Sequence, residues 1–195
     1  MSHPSADSIE DLPEFVWTII VAGGSGLRFG SRKQFADLVG RSVLQRSVDA
    51  AATVSQGIVI VVPADTVLEV DVTSKTDLSV VAGGETRAES VRCGIAAVPH
   101  SANVLLVHDA ARPLATPELF DRVVNAVGNG AKAAIPTVAV ADTIRHVDGG
   151  VIDRNQLLAV QTPQGFDAAT LREAHASEGE ATDDATLVEA GGHLV

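Results

Sequence analysis

A chain of 195 residues with 46% hydrophobic and 20% charged residues is long enough to bury a sizeable core and has the balance of a folded globular protein. Its net charge of −11 argues against the basic face of a nucleic-acid binder, and no apolar run approaches the roughly 18 residues of a membrane span. The single cysteine, Cys93, excludes an internal disulfide and reads as a small buried apolar residue.

Residues 1–14 are polar and acidic, without a basic or apolar signal region, and read as a disordered leader to one domain spanning 15–195. A cytoplasmic location is the default expectation. The apolar run 15–21 predicts a buried strand. It breaks into Ala22, Gly23, Gly24, Ser25 and Gly26, then into the cations Arg28, Arg32 and Lys33. Such a loop is either a surface turn or a phosphate cradle, in which glycine N–H groups meet phosphate oxygens and the cations meet their charge. It is not a P-loop, because Gln34 follows Lys33 where Ser or Thr is required. It also fails the dinucleotide fingerprint, because Phe29 stands where the third glycine belongs.

Residues 42–54 carry apolar positions at helical spacing, and 57–63 is a β-branched run that predicts a buried parallel strand. An acidic, poorly patterned segment follows. A strand is expected at 78–82, a helix at 86–98, a strand at 103–107 and a helix at 116–127. Thr116 is the expected N-cap of that last helix, with Pro117 at its first position. A further strand is expected at 131–140. Strand and helix patterns alternate, which predicts a three-layer α/β fold with a mostly parallel sheet. The loops after Val21, Ala82 and Val107 are rich in glycine or charge and should converge at the carboxyl ends of their strands.

The segment 141–160 breaks the alternation and reads as a hairpin around Asp148-Gly149-Gly150, either a projecting dimer arm or a surface hairpin. Gln161-Thr162-Pro163-Gln164-Gly165-Phe166 leads to a helix at 167–176 capped by Asp167. Thr182-Asp183-Asp184 opens a final helix that Gly191-Gly192 ends, and the residues after it read as the start of a strand.

Three groups carry chemistry. The first loop is one. In His108-Asp109-Ala110-Ala111-Arg112-Pro113, the Asp109 carboxylate suits Mg²⁺ or ribose binding, or else a loop cap, while His108 reads as a packed strand-end residue. In the stretch from Gly83 to Ser90, backbone groups at Gly83 and the Ser90 hydroxyl either read a base edge or form an ordinary helix cap. No two histidines fall at zinc-ligand spacing.

The pattern from Ala22 to Phe35 resembles the phosphate loop of nucleotidyltransferases that activate sugars and polyol phosphates. With V-H-D-A-A-R-P at 107–113, A-G-G-x-T-R-A-E-S-V from Ala82, D-T-I at 142–144, D-R-N at 153–155, Q-T-P-Q-G-F at 161–166 and T-D-D-A at 182–185, residues from about 19 to 195 resemble the 2-C-methyl-D-erythritol 4-phosphate cytidylyltransferase family. The resemblance implies a Rossmann-like, nucleotide-diphospho-sugar-transferase fold acting on CTP and a polyol phosphate with Mg²⁺, in non-mevalonate isoprenoid synthesis. It implies a homodimer made through the arm. Arg28 and Lys33 would stabilise charge on the reacting phosphates. Ala22 to Gly26, Arg87 and Asp109 would hold the nucleotide, Asp109 lying near the ribose and metal, with Gly83 and Ser90 on the cytosine. Asp142, Thr143 and Arg154 would reach the neighbouring subunit's methylerythritol phosphate, and Thr162 would lie near it.

Three departures qualify the resemblance. The loop reads A-G-G where the erythritol enzymes usually have P-A-A-G. The pair Arg32-Lys33 stands closer to Arg28 than the usual Pro-Lys does. The family continues into an Asn-x-Lys-[ILV]-Thr stretch beyond position 195, so a truncated member short of one substrate-phosphate lysine is expected. The pentitol-phosphate cytidylyltransferases share A-G-G and K-Q-F but typically carry Val where Ala111 stands. A non-catalytic nucleotide-binding module is the rival of a different class. An NAD oxidoreductase is disfavoured by the failed fingerprint and by a second strand that ends in Pro63 without an acid.

Overall fold

The computed structural model describes residues 15–23, 33–72, 75–176 and 183–195. The first apolar run forms β1 (Val16–Val21), in which every residue but the last is buried. A 3₁₀ turn (Lys33–Phe35) and helix α1 (Val43–Ala51) follow, the helix capped by the Ser42 side chain, which accepts from the Gln45 N–H. β2 (Gly57–Val62), wholly buried, and β3 (Asp77–Ala82) come next. Helix α2 (Arg87–Ala97) starts in a capping box made by Thr86 and Glu89, and β4 (Val104–Asp109) leads to α3 (Pro117–Gly128). Short strands β5 (Ala133–Ala134), β6 (Thr137–Ala139), β7 (Ile144–Arg145), β8 (Val151–Ile152) and β9 (Leu158–Val160) precede β10 (Gln164–Asp167). Helices α4 (Ala168–Ala176) and α5 (Asp184–Ala190) complete the described chain.

Six strands form one sheet in the order β3-β2-β1-β4-β10-β5. The first four run parallel and β10 runs antiparallel to both its neighbours. Alternation along β1 sends Val16 and Ile20 to one face, against Leu44 and Val48 of α1 and Phe120 and Val124 of α3. Trp17 and Ile19 face the other way, toward Val91 of α2, Leu171 of α4 and Val188 of α5. These are the three expected layers. The order reverses at β1, with β2 on one side and β4 on the other, so a crevice opens where chains leaving adjacent strands part.

Several expectations are corrected. The strand expected over 131–140 is two pieces. Pro136 has no N–H to continue a ladder, and after it the chain leaves the main sheet to pair β6 with β9. The 161–166 stretch, given no element in the sequence, supplies the antiparallel strand β10. The hairpin exists as a separate pair, β7 with β8, but its strands are shorter than expected and Arg154 sits in a 3₁₀ turn (Arg154–Gln156). Its tip turns through Gly149 and Gly150, both at positive φ, where glycine carries no Cβ penalty. The Thr116 side chain makes no capping hydrogen bond. Residues 193–195 form no strand. No helix among the described residues is long and apolar enough to cross a membrane. The leader lies outside the described residues.

Helix α2 lies close on β1 because Gly94 carries no side chain: a Cβ there would overlap Cγ2 of Ile19. Gly94→Ala is expected to destabilise the fold by about 1–3 kcal/mol, the usual range for overpacking. A urea midpoint unchanged from wild type would show that the helix shifts without strain.

Candidate active site

A cavity of about 720 Å³ opens at this switch point. Its walls come from three strand ends. At β1, Ala22 and Gly23 continue the strand, and the Ala22 N–H donates to the Val61 carbonyl at 2.8 Å. Buried Gln34 donates from Nε2 to the Ala22 carbonyl at 2.6 Å, which pins the 3₁₀ turn to the end of β1 and places Lys33 on the cavity wall. At β3, the Gly83 N–H donates to the Val62 carbonyl at 2.8 Å. A Cβ on Gly83 would stand 2.6 Å from the Ser90 Oγ and one on Gly23 3.6 Å from it, so both glycine backbones converge on that hydroxyl. Buried Ser90 donates to the Thr86 carbonyl at 3.0 Å.

At β4, Asp109 lies between two guanidinium groups. Arg87 Nε is 3.4 Å from Oδ1 and Arg112 Nε is 3.3 Å from Oδ2. Arg112 also hydrogen-bonds the Gln161 side chain. Arg87 reaches the other way to Asp184, at 2.8 Å, and Asp184 meets His175 Nε2 at 3.0 Å. Burial works against the Arg87 charge, but the attraction of Asp184 and then Asp109 exceeds it, holding the guanidinium pKa above its ordinary value. Beneath Asp109, His108 is fully buried against Phe120, their ring centroids 5.0 Å apart. Burial pushes its pKa down to about 4, although Asp109 pulls the other way. His108 is therefore neutral at pH 7.

Of the residues singled out in the sequence, Ala22, Gly23, Lys33, Arg87, Ser90 and Asp109 line the cavity. Gly84 lines it in place of Gly83, which packs beneath against Ser90. Gly24, Ser25, Gly26, Arg28 and Arg32 lie outside the described residues. Asp142, Thr143 and Arg154 are not brought to the cavity. They sit exposed in or beside the hairpin, where Arg154 donates to the Ala141 carbonyl of its own chain. Thr162 is buried, with its hydroxyl accepting from the Asp109 N–H at 3.1 Å and sharing a 2.9 Å hydrogen bond with His108 Nδ1, so within this chain it supports Asp109. Sequence reasoning missed Gln34, Arg112, Gln161, His175 and Asp184 as site residues. Gln34 in K-Q-F, Arg112 in V-H-D-A-A-R-P, Gln161 in Q-T-P-Q-G-F and Asp184 in T-D-D-A stood inside noted motifs that could have flagged them, and His175 stood in none.

A family model described as 2-C-methyl-D-erythritol 4-phosphate cytidylyltransferase matches residues 16–195. The chain belongs to that cytidylyltransferase family. A relative of that name from Rhodococcus jostii is 43% identical over 92% of this chain and 84% of its own length. One from Streptomyces coelicolor is 41% identical over 88% of this chain and 72% of its own. The crystal structure of the enzyme of the same name from Thermus thermophilus superposes with a TM-score of 0.78 at 34% identity, covering 93% of this chain and 86% of that one. Membership of the erythritol cytidylyltransferases favours that branch over the pentitol enzymes, as Ala111 did.

The buried His108 makes the site sensitive to acid. Its folded pKa, about 4, lies below the ordinary 6.5. As pH falls through that window the unfolded chain takes up a proton that the folded protein refuses. Stability present above about pH 6.5 is therefore lost toward pH 4, by about 3 kcal/mol at most. Urea titrations at stepped pH should show this slope, and His108→Gln should flatten it. Identical slopes in the two proteins would overturn the assignment.

Proposed function

We infer that the chain transfers the cytidylyl group of CTP to 2-C-methyl-D-erythritol 4-phosphate, releasing pyrophosphate and 4-diphosphocytidyl-2-C-methyl-D-erythritol for isoprenoid synthesis. One observation carries this reading beyond family membership. The cavity at the switch point joins a glycine-bearing strand end, a lysine and an aspartate, the groups that a base, a triphosphate and a ribose require.

A phosphate oxygen of the polyol substrate attacks the α-phosphorus of CTP in line, and the bond to the bridging oxygen of the β-phosphate breaks. No enzyme nucleophile is needed. Catalysis is positioning and charge neutralisation. Gly23 and Ser90 frame the cytosine, with Gly83 packed behind the Ser90 hydroxyl, and Asp109 faces the ribose. Lys33 neutralises the phosphates, joined by Arg28 from the first loop. Among the described residues no group of three His, Cys, Asp or Glu is placed to hold a metal ion. Mg²⁺, however, takes one or two carboxylates and completes its shell with phosphate oxygens. Asp109, a hard oxygen donor on the cavity wall, fits that need, and the ion would add charge neutralisation at the triphosphate.

The polyol phosphate is held from across a homodimer interface. Asp142, Thr143 and Arg154 lie in the hairpin, away from their own cavity, and Val147 and Val151 there are exposed apolar residues that association would cover. We assign this chemistry to one domain spanning 15–195 in the cytoplasm.

A pyrophosphate-release assay with each substrate in turn tests the reading. Turnover should require the erythritol phosphate and fall well below that level with ribitol 5-phosphate. Lys33→Ala should lower turnover by about 10²-fold, the usual loss when one preorganised donor is removed. Near-normal turnover in that variant would sink its role.

Arg154→Ala should abolish most activity alone, yet a mixture with Lys33→Ala should regain activity. Random pairing of the two variants in a symmetric dimer rebuilds about one quarter of the sites. A mixture no more active than its parts would refute the shared site.

A further inference from the structure

We propose that Asp184 is a positioning residue for the nucleotide site, holding Arg87 off Asp109 so that the Asp109 carboxylate stays open to ligand. The inference rests on the cytidylyltransferase reading and adds to it a residue outside the cavity wall. Three observations carry it.

Asp184 is 1% exposed and belongs to α5, on the far side of Arg87 from Asp109. It is fixed from three directions. Asp183 caps α5 by accepting from the Thr186 N–H at 2.9 Å, and its other oxygen accepts from Gln164 Nε2 at 3.3 Å. This ties the start of α5 to β10. His175 then holds Oδ1 of Asp184 from α4. The remaining oxygen, Oδ2, faces Arg87.

Arg87 therefore chooses between two carboxylates, and the distances are unequal. It stands 2.8 Å from Asp184 but 3.4 Å from Asp109. Charge-assisted N–H to carboxylate bonds close to about 2.7–2.9 Å. Arg87 Nη1 thus makes a close ion pair with Asp184 Oδ2, although that oxygen accepts no hydrogen bond, while Arg87 Nε makes only a long hydrogen bond to Asp109. Arg112 also stays at 3.3 Å from Asp109. A buried ion pair is in itself weak support for a fold, since apolar residues of similar volume often serve as well. Here the pair does something an apolar pair cannot. It satisfies most of the Arg87 charge from behind, and it fixes a long side chain that would otherwise sample many rotamers.

Without the Asp184 charge, Arg87 has one carboxylate left. It closes on Asp109, and CTP must break that contact to bind. Asp184→Asn keeps the shape and an acceptor for His175 while removing the charge. It should weaken CTP binding about tenfold, the equivalent of one charge-assisted contact. The KM for the polyol phosphate, which Arg87 does not touch in this scheme, should move by less than about twofold. Asp184→Glu, which restores the charge, should recover most of the CTP affinity.

The deciding measurement is a double-mutant cycle on the full chain, read as CTP affinity by calorimetry. In an Arg87→Gln background, Asp184→Asn should cause no further loss, because the group it restrains is gone. Equal losses in both backgrounds, or a fall in melting temperature with both KM values shifted alike, would show a merely structural role. No loss in either background would overturn the proposal outright. If Asp184→Asn does not fold, His175→Gln enters the same cycle, with the same dependence on Arg87 expected. Failure of the wild-type chain to bind CTP would instead remove the nucleotide reading and this proposal with it.

Discussion

The parallel pairing of β1 with β4 is the constraint on which the rest depends. Its register runs from Val16 opposite Val104 to Val21 opposite Asp109. The residue that ends one strand thus faces the residue that ends the other. From that line the two chains must diverge, one into the first loop and one toward α3, because their crossovers lie on opposite sides of β1. The crevice follows from the topology before any side chain is chosen. Side chains then fill it: Lys33 because Gln34 anchors its turn to Ala22, and Asp109 because Thr162 accepts from its N–H.

Electrostatics in this crevice work against the grain of the molecule. A chain of net charge −11 repels polyanions on average, so it must gather its cations where a triphosphate is to sit. Lys33, Arg87 and Arg112 all line the cavity. Two of the three are already paired with acids. A guanidinium partly matched by carboxylate is held in place and loses some of its appeal to phosphate. The site resolves the conflict by depth. Asp184 is buried behind Arg87, and Asp109 stands at the surface, where ligand can compete for it.

Much of this was legible in the sequence, and the reasons are local. A β-branched run such as 57–62 has few alternatives to a buried strand, and the ends of three apolar runs, rich in glycine or charge, marked the cavity. The ordered motifs marked the family. The unread parts are those fixed by distant partners. Residues 164–167 become a strand because β4 needs a neighbour beyond β1, which nothing in Gln164 to Asp167 announces. Pro136 divided a run whose apolar pattern looked continuous. His175 and Asp184 are nine residues apart, at no helical spacing, and meet only because α4 packs on α5.

The same sheet order carries a consequence for synthesis. β1, β2 and β3 arise early in the chain and are neighbours in the sheet, so they can assemble first. β4 then adds to β1 across a separation of 88 residues, and closing that loop is slow compared with local pairing. Until residues 164–167 leave the ribosome, β4 is an open edge of Val-Leu-Leu-Val with unpaired backbone groups, the kind of surface that recruits other strands. β10 closes it, and the two-residue β5 leaves little on that side for another chain to extend. The strand that sequence reading missed is thus the one that protects the nascent protein from aggregation.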